Sequence, residues 1–145
     1  MANEHVLVTQ KTFPVSMTVA NGTGIEKGSL LKLTDPNTAI IHSGENDPIA
    51  GIAYTEKIAS DGNTKIAVLV GPGDILKATA SGSITVHDPL MAADGEFVNR
   101  LYSVKNLNAL EISGGTIVGT SLETATTGET FKYILNISAI AGDIA

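Results

Sequence analysis

The chain has no cysteine, no tryptophan and a single arginine, Arg100. Without cysteine there is no thiol nucleophile, no zinc–cysteine centre and no disulfide, and compartment is left open. Positive charge is scarce: nine basic residues face fifteen acidic ones, for a net charge of −6. Such a chain repels phosphate backbones and no basic cluster offsets the sign, so neither nucleic acid nor an anionic membrane is an expected partner. Long apolar runs are missing too. Nothing approaches the ~18 residues of a membrane-spanning helix. The first turns of chain, with His5, Gln10, Lys11 and Pro14, do not read as a signal peptide. With only three Phe and three Tyr, there is little aromatic surface on which to stack sugars or bases.

What is abundant is Thr, Ile, Val and Ala, with fifteen glycines spread along 145 residues. β-branched residues favour pleated strands, and scattered glycines favour turns. A chain of this length buries about 70% of its unfolded surface, enough to fold without metal or disulfide. These features predict an all-β fold: a compact β-sandwich or barrel-like domain with at most one or two short helices and an extended N-terminal arm.

Turn signals divide the chain into short strands. Val15, Met17 and Val19 alternate before Asn21-Gly22; Leu31 and Leu33 alternate before Asp35-Pro36. The clearest hairpin runs from Ile49 through the Asp61-Gly62 turn to Ile66, Val68 and Val70, which share one face. Gly71 to Asp74 is a turn, and Ser81-Gly82 separates two more strands. At the far end, Ile117-Val118, a Thr127-Gly128 turn, and alternating Phe131, Tyr133, Leu135 and Ile137 repeat the scheme. Residues 88–105 are ambiguous. Asp88-Pro89 and Gly95 have the form of a helix start and stop, and Phe97, Leu101, Tyr102 and Lys105 fall on one helical face.

Chemistry-bearing motifs are few. Gly22 to Ser29, "GTGIEKGS", nearly spells a phosphate-binding loop, but Lys27 precedes Gly28 and a strand pattern follows where a helix is required. Two successive turns explain it. His5, His42 and His87 lie far apart without a recurring carboxylate, so no metal set is predicted. No G-x-S-x-G elbow exists. Glu56 and Glu123, in related places, read as solvated strand-end residues. Catalytic, cofactor-binding and metal residues are therefore all expected to be absent, and no cofactor is expected.

The chain also echoes itself. "GIEKGSLLKLTD" matches "SITVHDPLMAAD", with Ile25 over Ile84, Leu31 over Leu90 and Asp35 over Asp94. "IAGIAYTEKIASDGNTKIAVLV" matches "IVGTSLETATTGETFKYILNI", with Gly51 over Gly119 and Gly62 over Gly128. One sandwich and two similar β units on a common core both fit. The expected organisation is an N-terminal arm or edge strand, 1–14, and a single β domain, 15–145, with half-units 15–80 and 81–138 if the chain is duplicated.

The blocks "IEKGSLLKLTD", "DPIAGIAYTEK…HDPLMAADG" and "GTIVGTSLETATTGETFKYILNI" together resemble the capsid decoration (cement) proteins of tailed bacteriophages, over roughly residues 18–138. The third block is similar to that family's G-x-[AS]-L-E-x-A-x-x-G-E segment at Gly119, Ser121, Leu122, Glu123, Ala125, Gly128 and Glu129. In the G-D-P-L-like turn, His87 replaces the usual glycine. The resemblance implies a non-enzymatic structural protein of the virion, made in the host cytoplasm and bound to the outer surface of the capsid. It also implies the major capsid protein as partner and a homotrimer as the assembled form. Val6, Leu7, Val8 and Phe13 are the expected capsid contacts, on an arm whose deletion would leave a folded domain. A fibre-type or receptor-facing β module that binds surface glycans is the alternative.

Overall fold

The computed structural model describes residues 3–44, 47–93, 99–106 and 116–139. As the composition predicts, the described residues are all-β. The strands are β1 (Val6–Thr9), β2 (Val15–Thr18), β3 (Leu30–Thr34), β4 (Thr38–Ile41), β5 (Ile49–Ala53), β6 (Lys65–Leu69), β7 (Ile75–Thr79), β8 (Pro89–Ala92), β9 (Leu101–Ser103), β10 (Thr116–Ser121) and β11 (Thr130–Ala139). A 3-10 turn, Val104–Asn106, follows β9. Strands β2-β4-β3-β5-β6 close into a barrel, and a six-stranded sheet runs β1-β7-β11-β10-β8-β9.

The second sheet repeats the first. In the barrel β2 pairs with β6, placing Ser16 opposite Ala67 and Met17 opposite Ile66. In the sheet β7 pairs with β11, placing Lys77 opposite Lys132 and Ala78 opposite Phe131. Leu31 faces Gly51 across β3–β5, as Leu90 faces Gly119 across β8–β10. Ile25 exchanges backbone hydrogen bonds with Lys57, and Ile84 with Ala125. The Val19 N–H reaches the Thr64 carbonyl, and the Ala80 N–H the Glu129 carbonyl. Even the closure recurs: β2 meets β4 in parallel at Thr18–Thr38, and Ala80 meets Leu101 in a lone parallel bridge. The pairs Ile25/Ile84, Leu31/Leu90 and Gly51/Gly119 are thus structurally equivalent, whereas Gly128, left-handed three residues after the Ala125 bridge, answers to Ser60, left-handed three residues after the Lys57 bridge, and not to Gly62. Asp94, matched to Asp35, lies outside the described residues.

Two paired positions show why the repeat has its sequence. A Cβ on Gly51 would strike the Leu69 carbonyl, and one on Gly119 the Ile134 carbonyl, so both hairpins need a bare backbone where strands close up. The turn before β3 puts Gly28 at φ +90, and the matching turn before β8 puts His87 at φ +74. The usual glycine is gone from the second unit while its left-handed geometry remains, at a residue type that tolerates it better than most.

Two buried clusters fill the molecule. Met17, Val19, Ile25, Leu31, Ala39, Ala50, Ala53, Ile66 and Val68 fill the barrel. Ala78, Ile84, Leu90, Val118, Phe131, Tyr133 and Leu135 form the second cluster, joined by Leu30, Ile49, Ile52 and Leu69 from the barrel's own strands. Strand alternation explains the division: Leu31 and Val68 point into the barrel while their neighbours Leu30 and Leu69 point out. The outer wall of the first unit therefore packs against the inner face of the second.

The helix signals at 88–105 do not produce an α-helix among the described residues. Pro89 opens β8, a position that needs no ladder donor. Leu90, Met91 and Ala92 are all buried, and a short run buried all round reads equally as strand or helix. Gly95 and Phe97 lie outside the described residues.

Candidate interaction surface

The N-terminal segment is stitched into both units. The His5 N–H donates to the Gly28 carbonyl at 2.8 Å. Its buried ring lies between Tyr133 and Asn99, with Nε2 2.8 Å from the Asn99 carbonyl. A carbonyl only accepts, so the proton sits on Nε2, and Nδ1 accepts from the Tyr133 hydroxyl. Burial lowers the His5 pKa to about 4, against the opposing pull of the Asn99 carbonyl, and burial raises that of Tyr133. β1 then adds to the edge of β7, with Val6 opposite Lys77 and Leu7 opposite Leu76. Further on, the buried Asp74 carboxylate accepts from the N–H groups of Lys11 and Thr12 and from the Thr12 hydroxyl.

These anchors decide what the segment shows to solvent. Leu7 faces inward and packs on the core. Val6 and Val8 face outward, 60% and 45% exposed, and Phe13 stands 90% exposed on the connection to β2. Beside it, Gln10 to Pro14 and Tyr54 line an open groove of about 500 Å³, braced by the Tyr54 hydroxyl donating to Gln10 Oε1 at 3.0 Å. Phe13 is thus a large apolar ring held in water between fixed neighbours. Covering it would gain about 2 kcal/mol. The truncation expected to leave a folded domain would instead strip partners from Tyr133, Asn99 and Asp74.

The other candidates resolve into structure. "GTGIEKGS" runs through turns into β3, with Lys27 exposed and Gly28 buried beneath the His5 backbone. His42 is fully buried, not at the surface as its strand-end position suggests. Its Nε2 donates to the Ala93 carbonyl at 2.7 Å, and its Nδ1 lies 3.3 Å from the Asp47 carboxylate. His87 is exposed in its turn. The three histidines are not brought together, and among the described residues no group of three His, Asp or Glu side chains converges on a metal position. Glu123 accepts from the Lys132 N–H at 2.8 Å, while Glu56 borders a separate groove on the barrel with Glu26 and Lys57.

The third resembling block spells a hairpin's wiring. Ser121 Oγ donates to the Glu123 carbonyl, Ala125 is buried at the Ile84 bridge, Gly128 turns the chain at φ +87, and Glu129 accepts from the Thr126 N–H and hydroxyl. The sequence reading missed His5, Asp74 and Lys57 as structural centres. Lys57 is 3% exposed, its ammonium donating to the Asn21 and Ile58 carbonyls and to Asp61.

No protein-family model matches the chain, and no curated protein matches it. Among solved structures, the head fiber gp8.5 N base in bacteriophage phi29 is similar in fold. Its TM-score is 0.54 at 15% sequence identity, covering 85% of this chain and 94% of that one. At that identity the likeness is one of fold.

Proposed function

We propose that the chain is a non-catalytic structural module of a phage virion, of the head-fibre base type, seated on the outer surface of the head. The observation that carries this reading is the fold shared with a head-fibre base over nearly the whole of both chains. The decoration-protein resemblance of the turn motifs points to the same place by a separate route. A base at the head surface needs a rigid body and an attachment face. The doubled β unit supplies the first; Val6, Val8 and Phe13, backed by Leu7, supply part of the second.

The finer reading follows from the seat. A module that bridges neighbouring major capsid subunits binds only the assembled shell and stabilises it by mass action. As a homotrimer it does so multivalently, which is the role of a cement protein. The fibre-type alternative has the shared head-fibre base fold in its support, while its glycan-binding part has less to build on, for beside Phe13 the groove offers only Tyr54 as a second aromatic.

The test is sedimentation of the purified protein with phage heads that lack it. Saturable, stoichiometric co-sedimentation is expected, and Phe13→Ala should weaken it about tenfold while leaving thermal stability within about 0.5 kcal/mol. Retention on cell-wall glycans with none on heads would overturn the reading.

A further inference from the structure

We propose that the outer face of the six-stranded sheet, centred on Lys77 and Lys132, docks on an acidic protein surface of the virion shell. The inference rests on the head-bound reading above and names the chemistry of the partner.

The β7–β11 register sets Lys77 directly opposite Lys132, and the β1–β7 register continues that row to Val6. Like charges directly opposed on adjacent strands repel. Among the described residues the lysines with ion-pair partners are Lys32, Lys57 and Lys105, so this pair goes uncompensated. The Glu123 carboxylate takes the Lys132 backbone N–H. The sheet thus holds two bare ammonium groups together on a chain whose net charge is −6. Apolar side chains flank them on one side: Val6 and Val8 are exposed, and half-buried Ile75 and Ile134 are opposed one step along the same two strands, with Thr79 opposite Thr130 on the other side.

The duplication supplies an internal control. The equivalent pair in the barrel is Ser16 opposite Ala67, so the fold itself does not ask for lysines at this place. Only the second unit keeps a locally unfavourable pair, and only there does the flanking strand β1 add exposed valines. A partner presenting carboxylates between apolar side chains would relieve the repulsion and cover the valines together. Glycans and nucleic acid do not offer that combination.

The experiment compares K77E/K132E and K77Q/K132Q with an S16E/A67E control, each first checked for cooperative thermal unfolding. The glutamine variant should melt no lower than the parent, because a repulsion is removed. With heads, K77E/K132E is expected to lose at least tenfold in affinity and K77Q/K132Q several-fold, while the control binds as the parent does. Carbodiimide coupling of the parent complex should join Lys77 or Lys132 to an Asp or Glu of a shell protein. Unchanged binding by both lysine variants, with the parent bound normally, would overturn this inference and leave the head-bound reading standing. A parent that never sediments with heads would remove both. Lysine-dependent binding to anionic vesicles or polyphosphate in place of heads would assign the face to another partner and overturn it too.

Discussion

At equivalent places in the two units, Lys57 stands in the first where Ala125 stands in the second, Gly28 where His87 stands, and Ser16–Ala67 where Lys77–Lys132 stand. The interiors differ as well. Met17, Ile66 and Val68 fill the barrel where Ala78, Phe131 and Tyr133 fill the second unit, a larger residue on one strand answering a smaller one on its neighbour. Key backbone hydrogen bonds recur in both, at Ile25 and Ile84 and at Val19 and Ala80. The comparison separates what the fold requires from what each copy was free to change. Bare backbone at Gly51 and Gly119 and a left-handed residue before β3 and β8 belong to the fold. The buried lysine, the edge strand β1 and the opposed lysines belong to one copy each.

The largest expected effect comes from making the first unit imitate the second at Lys57. Lys57→Ala leaves a hole and strips two carbonyls of their donor, and should cost about 3 kcal/mol in chemical denaturation. The Lys57 ammonium, with the Asn63 N–H, holds the Asp61 carboxyl at about 2. In the variant that carboxyl should rise toward 3.8 in an NMR titration but stay below it, because the Asn63 hydrogen bonds remain. Unchanged stability would mean that the buried lysine is no more a part of the fold than its alanine counterpart.

Next comes His5, whose ring is buried against the second unit at Tyr133 and Asn99. Its folded pKa of about 4 lies below the ordinary 6.5, so the unfolded chain takes up its proton first. The stabilisation from keeping it neutral is full above about pH 6.5, falls as pH drops, and is exhausted near pH 4. At full extent it amounts to about 3 kcal/mol. Protonation would also turn Nδ1 into a donor facing the Tyr133 hydroxyl. Melting curves from pH 7.5 to 4.5 should show the loss in the parent. The same scan on His5→Phe should lack most of that slope, and an identical slope in both would remove His5 as the cause.

The smallest effects test the paired turns, and they should have opposite signs. Gly28→Ala forces a Cβ into the left-handed region against the His5 carbonyl and should lower stability by about 2 kcal/mol. His87→Gly relieves the same geometry in an exposed turn and should raise it by about 1 kcal/mol. Thermal melts of the two variants, side by side, check this. Equal losses would mean that the turns are not equivalent after all.

Much of the fold was legible along the chain. Alternation in residues 65–70 and 131–137, glycines at Gly62 and Gly128, and the paired Gly51 and Gly119 all report contacts made within one hairpin, where nearby residues act on each other directly. The region of β8 and β9 was not legible, because Leu90-Met91-Ala92 is buried on every side and shows no period. The contact surface was legible in part. Val6, Val8 and Phe13 stand exposed as their placement before Pro14 suggests, but the segment is fastened through His5 to Gly28, Asn99 and Tyr133, and through Asp74 to Lys11 and Thr12. Those partners lie tens of residues away and leave no local trace.

Composition and local pattern by themselves determined that this chain is all-β, acidic and free of thiol chemistry, and left a repeat and a single sandwich both open. Each of these follows from residue type or from neighbours within one turn or one strand pair. Only the tertiary structure decided that the outer wall of one unit packs on the inner face of the other, that His5 is a buried latch, and that Lys77 and Lys132 stand side by side. Strand registers joining distant segments set those juxtapositions, and the order of residues along the chain does not display a register.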